Sequence, residues 1–182
     1  MREVKDFSRL DYLQNGNERQ QEAYRVLTGH KILEKLVLYH PLLAGTIPLE
    51  IDIAQSDLDI VCCWTVKDSF IESVSQHFST YPFFTLKEKI VGNHTTVIAG
   101  FTVEGFAVEL FGQAVPSHRQ AAYRHMLIEH KLLLKHGEIF KEQVVQLKLQ
   151  GYKTEPAFAQ LLGLKGDPYE ALLLLEQDLF GS

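Results

Sequence analysis

The sequence predicts an α/β chain of the α+β kind, a mixed sheet with a helix in front of it and a helical bundle behind. Three observations carry this reading. Apolar positions recur at helical spacing before residue 40, apolar segments split by Gly-containing pairs fill the middle, and helical periodicity returns beyond Pro116. With 182 residues, 46% of them hydrophobic and 23% charged, the chain is long enough for a real core and sits in the globular range.

Residues before about Gly16 show no clear periodicity and are expected to cap the fold. Asn17 and Gln20 have the spacing of a capping box, and Ala23, Val26, Leu27, Leu33, Leu36 and Val37 continue as an apolar stripe. One helix, or two broken near Thr28-Gly29, is expected to run to about Tyr39, where His40-Pro41 stops it. Strands are expected at 42–46 and 57–65, with a further piece at 49–53, where Leu49, Ile51 and Ile53 alternate with Glu50 and Asp52. Lys67 to about Thr80 reads as a helix with Phe70, Val74, His77 and Phe78 on one side.

After Tyr81-Pro82, apolar segments at 83–91, 95–103 and 106–112 are separated by Gly92-Asn93 and Glu104-Gly105, which predicts an antiparallel meander. Helices are expected over 117–136 ending at Gly137, 138–150 ending at Gly151, 155–162 before Gly163, and 168–179. Asp167-Pro168 opens the last with an N-cap followed by Pro at the first helical position. The organisation is a core over 1–115 with a helical region, 116–182, packed on it.

Composition narrows the function. A formal charge of -5 argues against long nucleic acid as a partner. The charge is uneven, and His118 to Lys148 gathers Arg119, Arg124, Lys131, Lys135, Lys141 and Lys148, a segment suited to a polyanion or a triphosphate. Cys62 and Cys63 are the only cysteines, which excludes a disulfide framework and fits a reducing compartment. No apolar run approaches the roughly 18 residues of a membrane helix, and Met1 to Asp6 holds no apolar signal core, so a cytoplasmic location without a membrane partner is expected. Walker, dinucleotide-binding, nucleophile-elbow and zinc-protease motifs are all absent.

The chemistry is concentrated in Ala44-Gly45-Thr46 and, ten residues after Thr46, Ser56-Asp57-Leu58-Asp59-Ile60. On a strand alternate side chains share a face, so Asp57 and Asp59 project together while Leu58, Ile60, Cys62 and Trp64 line the other side. Two carboxylates so close raise each other's pKa unless a cation sits between them, and a divalent ion is the natural neutraliser. Magnesium takes one or two carboxylates plus substrate phosphates. Gly45 permits close backbone approach to a phosphate, and Thr46, with Ser56 nearby, adds a hydroxyl. Glu109, inside Ala107-Val108-Glu109-Leu110-Phe111, is a carboxylate on an apolar strand that needs a partner or an ion. Arg119 and Arg124 follow as candidate phosphate ligands, since the guanidinium donates two hydrogen bonds at once.

These residues resemble the nucleotidyltransferase superfamily of the DNA polymerase beta type, in which a Gly followed by Gly or Ser precedes acid-apolar-acid on a strand and a third acid between apolar residues. Gly45, Thr46, Asp57 and Asp59 match the first part, with Thr46 where Ser or Gly is commoner. Glu109 matches the third acid, where Asp is commoner, and a longer Glu reaches the same ion from a more withdrawn backbone. Many members run a short helical turn where the 49–53 alternation stands here. From Gly16-Asn17-Glu18-Arg19-Gln20 through Gly45-Thr46-Ile47-Pro48 and Leu110-Phe111-Gly112-Gln113 to Gly166-Asp167-Pro168-Tyr169, the chain also resembles a bacterial domain-of-unknown-function family placed beside these transferases.

The resemblance implies transfer of a nucleoside monophosphate from a nucleoside triphosphate, ATP by default, to an acceptor hydroxyl on a small molecule, a protein side chain or an RNA end, and the net acidity and small size of the chain favour a small molecule or protein. Asp57, Asp59 and Glu109 would hold Mg2+ or Mn2+, and Gly45, Thr46, Ser56, Arg119 and Arg124 would hold the phosphates. The alternative is a non-catalytic nucleotide-binding or regulatory protein that keeps the fold, motivated by the Glu at the third position and the Ile47-Pro48-Leu49-Glu50-Ile51-Asp52-Ile53 insert.

Overall fold

The computed structural model describes residues 5–181, so the Met1–Val4 stretch read above lies outside the described residues. Helices α1 (Asp11–Gln14), α2 (Glu18–Gly29) and α3 (Ile32–Lys35) lead into strands β1 (Leu42–Ala44) and β2 (Leu58–Cys63). Helix α4 (Lys67–Phe78) is followed by β3 (Thr85–Val91), β4 (His94–Val103) and β5 (Phe106–Gln113). Helices α5 (Ala121–Leu149), α6 (Thr154–Leu162), α7 (Pro168–Leu174) and α8 (Glu176–Phe180) complete the chain.

The strands form one mixed sheet in the order β1-β2-β5-β4-β3, antiparallel throughout except for the parallel pair β2 and β5. Alternation sorts their side chains between two cores. Leu58, Ile60, Cys62, Val97, Ala99, Phe101, Val108 and Leu110 join Val26, Leu27, Phe70, Val74 and Phe78, from α2 and α4, on one face. Ala44 and Val61 join Tyr123, Met126, Val144, Ala157 and Phe158, from α5 and α6, on the other. Gly112 allows α4 to lie close, because a side chain there would overlap the Phe70 ring.

The capping box of α2 is present: Gln20 N–H donates to Asn17 Oδ1 at 2.9 Å, and Asn17 N–H to Gln20 Oε1 at 3.3 Å. The break near Thr28-Gly29 is also present, with Lys31 in the left-handed region before α3. Asp167 caps α7 by accepting from Tyr169 and Glu170 N–H groups.

The 49–53 piece is not a strand. Ile47–Leu49 forms a 3-10 turn, and Glu50 follows in the left-handed region at φ 60°. Pro48 has no N–H for a ladder, and the Gln20 amide takes the Ile47 and Pro48 carbonyls at 2.8 and 3.1 Å. Leu49 and Ile51 are buried against the helices instead.

The start of the 117–136 helix also differs from expectation. Ser117–Arg119 is a 3-10 turn, with the Ser117 hydroxyl donating to the His40 carbonyl at 2.6 Å and Gln120 Nε2 to the Cys62 carbonyl at 2.7 Å. The expected break at Gly137 is present: that residue is non-helical, with φ 79° and ψ -169°, and kinks α5 into two helical segments. The final helix divides at Leu175 into α7 and α8.

Candidate metal centre

Parallel pairing of β2 with β5 sets Asp59 opposite Glu109, and Asp57 lies two residues earlier on the same face. One carboxylate oxygen from each of the three lies within 4.8 Å of the others. All three residues are half-buried. Burial, Asp57, Glu109 and Glu155 drive the Asp59 pKa well above the usual carboxylate range, against the pull of Lys148. Glu109 is raised too, by burial and then Asp57, with Lys87, Lys89 and Lys153 pulling the other way.

The donor set fits a hard divalent ion. Carboxylate oxygens alone suit Mg2+ or Mn2+ over thiolate- or imidazole-seeking metals. Among the described residues no Lys, Arg or His nitrogen comes within 4.0 Å of these three carboxylates, so the protein itself supplies no ion-pair partner.

β1 brings the Gly-Thr turn to the same place, since Ala44 pairs with Asp59. Gly45 has φ 81°, and a side chain there would overlap the Asp59 carboxylate, so the position is closed to other residues on two counts. The Thr46 hydroxyl donates to Ser56 Oγ at 3.2 Å, and the Ile53 N–H donates to the same oxygen at 2.9 Å. Ser56 therefore ties the two ends of the loop together and still has its own hydroxyl proton to give.

Arg119 and Arg124 are not brought to the carboxylates. Arg119 is exposed on the turn beyond the far ends of β2 and β5, and the four residue steps from Asp59 to Cys63 alone span roughly 13 Å. Arg124 forms a two-pronged ion pair with Glu176, its Nε 3.0 and 3.1 Å from the two carboxylate oxygens. That pair holds Glu176 below and Arg124 above their ordinary pKa values.

A buried polar group beside the centre was missed. Lys148 is buried near the end of α5 and donates to the Ile51 carbonyl at 2.6 Å. It faces Glu129, Asp52, Glu155 and Asp59, while burial lowers its pKa. Glu129 is buried, with Oε1 unpartnered, and is held protonated well above the usual range by burial and Glu155. Helical spacing carried the signal for both: Lys148 continues Phe140 and Val144, and Glu129 falls between Met126 and Leu132-Leu133 on the buried stripe.

Solved structures share the fold at low identity. The GLD-2/RNP-8 complex matches with a TM-score of 0.55 and 14% identity, over 84% of this chain and 60% of that one. The Cid1 poly(U) polymerase with magnesium and 3′-dATP bound matches with a TM-score of 0.56 and 11% identity, over 91% and 53%. A cytoplasmic RNA terminal U-transferase matches with a TM-score of 0.51 and 12% identity, over 79% and 47%. The chain thus spans about half to three-fifths of these proteins, and what it shares with them is the nucleotidyltransferase-like fold. Among the described residues no helix is long and apolar enough to cross a membrane. No curated protein matches the sequence. The model of one family, the domain of unknown function DUF4269, matches residues 12–175 and so takes in β1, the acid-bearing strands and most of the helical bundle; the chain belongs to that family.

Proposed function

We propose that this protein is a metal-dependent nucleotidyltransferase that moves a nucleoside monophosphate from a nucleoside triphosphate to an acceptor hydroxyl. The observation that carries the reading is the convergence of Asp57, Asp59 and Glu109 to within 4.8 Å beside the left-handed Gly45 turn.

Asp57, Asp59 and Glu109 would hold Mg2+ or Mn2+, which supplies charge neutralisation at the phosphates and a more acidic acceptor hydroxyl. The Gly45-Thr46 backbone and the Ser56 hydroxyl donate to the terminal phosphates. The acceptor oxygen attacks the α-phosphorus as the bond to the β-phosphate breaks, and pyrophosphate departs with that electron pair. Glu109, the carboxylate furthest from the phosphate turn, is positioned to take the hydroxyl proton. The protein contributes placement and electrostatics more than covalent chemistry.

Calorimetric titration with ATP, GTP, CTP and UTP, in magnesium and then in chelator, tests this. Magnesium-dependent binding of at least one nucleotide, lost in Asp57→Asn/Asp59→Asn, is expected. Absence of binding by every triphosphate would refute the reading and favour a fold retained for another purpose.

A further inference from the structure

The two acids that face each other across β2 and β5 belong to a longer row. Ala44 pairs with Asp59, Asp59 with Glu109, Glu109 with Gly100, and Gly100 with Thr85, so one line of residues on one face crosses all five strands. It begins at the phosphate turn after Ala44 and ends at the Thr85 hydroxyl. Helices α5 and α6 cover the β1–β2 half of this face, where Leu42, Val61 and Phe111 pack on them. On the other half Thr85, Lys87, Lys89 and Ala107 are exposed, Gly100 and Thr102 are half-buried, and Ile98 and Thr96, opposite Lys87 and Lys89, are buried. Glu109 stands at the boundary.

In-line displacement places the attacking and leaving oxygens on opposite sides of the transferred phosphorus. With pyrophosphate leaving towards β1, the acceptor enters from the β4–β3 side. Lys87 projects there, on the same face as Glu109, two strands away and two residues along, roughly 12 Å at the usual strand spacing and rise, and Lys89, two residues further on, lies roughly 17 Å away at the outer end of the approach. Lys153, at the N-cap of α6, is a third cation acting on Glu109. Among the described residues none of the three has a carboxylate within 4.0 Å, whereas Lys67 takes Glu88 at 2.5 Å. Unpaired lysines surround the approach to a centre whose own side chains are all acidic.

On this basis, and resting on the transferase reading, we propose that the acceptor is a phosphate-bearing hydroxyl compound whose anion is held by Lys87 and Lys89, with its hydroxyl led over Gly100 to Glu109. The lysines draw an anion into a field that the carboxylates alone would repel. Gly100 keeps the path open, since a Cβ there would stand 3.1 Å from Thr85 Oγ1 and a larger side chain would fill the gap.

The test pairs two measurements on the full chain. Calorimetry with the magnesium nucleotide reports the transferase site, and transfer of labelled nucleotide reports the acceptor. The acceptors are glycerol 3-phosphate against glycerol, ribose 5-phosphate against ribose, and a tetranucleotide with a free 3′-hydroxyl against its nucleoside. The phosphate-bearing member of a pair is expected to react at least about tenfold more efficiently. Which pair responds separates a small phosphorylated metabolite from a strand end.

Lys87→Glu/Lys89→Glu is expected to remove that preference by at least about tenfold while nucleotide affinity stays within about twofold. Gly100→Val, with an unchanged melting temperature, is expected to lose transfer in the same way. Equal use of the uncharged acceptors, or a preference that survives the charge reversal, would overturn the proposal. So would the absence of transfer to every phosphate-bearing acceptor while nucleotide still binds. Failure of the wild type to bind nucleotide would instead sink the transferase reading beneath it.

Discussion

Replacing Asp59 by Asn in metal-free protein removes one of three mutually repelling carboxylates, and the structure predicts that the protein becomes more stable. One carboxylate oxygen of each acid lies within 4.8 Å of the others, and two full charges at that distance repel by about 3.5 kcal/mol at an effective dielectric of 20. Residual solvation of these partly buried groups and the attraction of Lys148 cut this several-fold, leaving a net relief of about 1–2 kcal/mol. For a chain of this length that is a rise of roughly 2–8 °C in melting temperature.

Melts of wild type and Asp59→Asn at pH 8 in chelator give the first comparison. Saturating magnesium gives the second, because binding at a hundredfold excess over Kd adds about 2.7 kcal/mol to the wild type and reverses the order. Destabilisation of Asp59→Asn by about 3–5 kcal/mol in chelator would refute the reasoning and identify Asp59 as half of a buried ion pair with Lys148.

Four further outcomes follow from the structure. Asp59, Glu109 and Glu129 keep their protons to higher pH when folded than when unfolded, so the stability they confer is complete below about pH 4 and is lost as pH rises through their folded pKa values. Melting temperature in chelator is expected to fall from mildly acid to neutral pH, magnesium to flatten that slope, and an upward slope to contradict the assignment. Gly45→Ala meets both a left-handed backbone and the Asp59 carboxylate, so it is expected to cost about 1–3 kcal/mol and to weaken nucleotide binding. Gly29→Ala, with open space around it, is expected by urea denaturation to be neutral or stabilising by up to about 1 kcal/mol. Arg124→Ala breaks the pair with Glu176, both side chains 34% exposed, and is expected to cost at most about 1 kcal/mol without changing nucleotide affinity; a calorimetric loss of affinity would return Arg124 to the phosphates.

The acids were legible because strand alternation is local: Leu58 and Ile60 had to be buried, and that alone turned Asp57 and Asp59 to the opposite face. Glu109 was legible for the same reason, between Val108 and Leu110. The 49–53 alternation misled because Leu49 and Ile51 face a core supplied by α5 and α6, and a period of two cannot distinguish a strand from an irregular loop pressed against helices. Arg119 and Arg124 were assigned by nearness in sequence to β5, yet the strand carries the chain away from the acids before the turn begins. Lys148 was counted with a charged segment, although its position and that of Glu129 on the apolar stripe of α5 mark both as buried. Their significance depends on which helix packs over which strand, information that no single segment contains.

Gln20 braces the Gly45-Thr46 turn from a distance. Its side-chain carbonyl closes the α2 capping box while its amide nitrogen is shared by the Ile47 and Pro48 carbonyls, so one planar group couples a helix end to the loop that follows Gly45-Thr46. No isostere can take its place. Glu would turn a carboxylate towards two carbonyl oxygens, and Leu would abandon acceptors on one side and an N–H on the other. Selection acting on the grip of the turn would therefore be felt 27 residues upstream, at a helix start that touches no ligand.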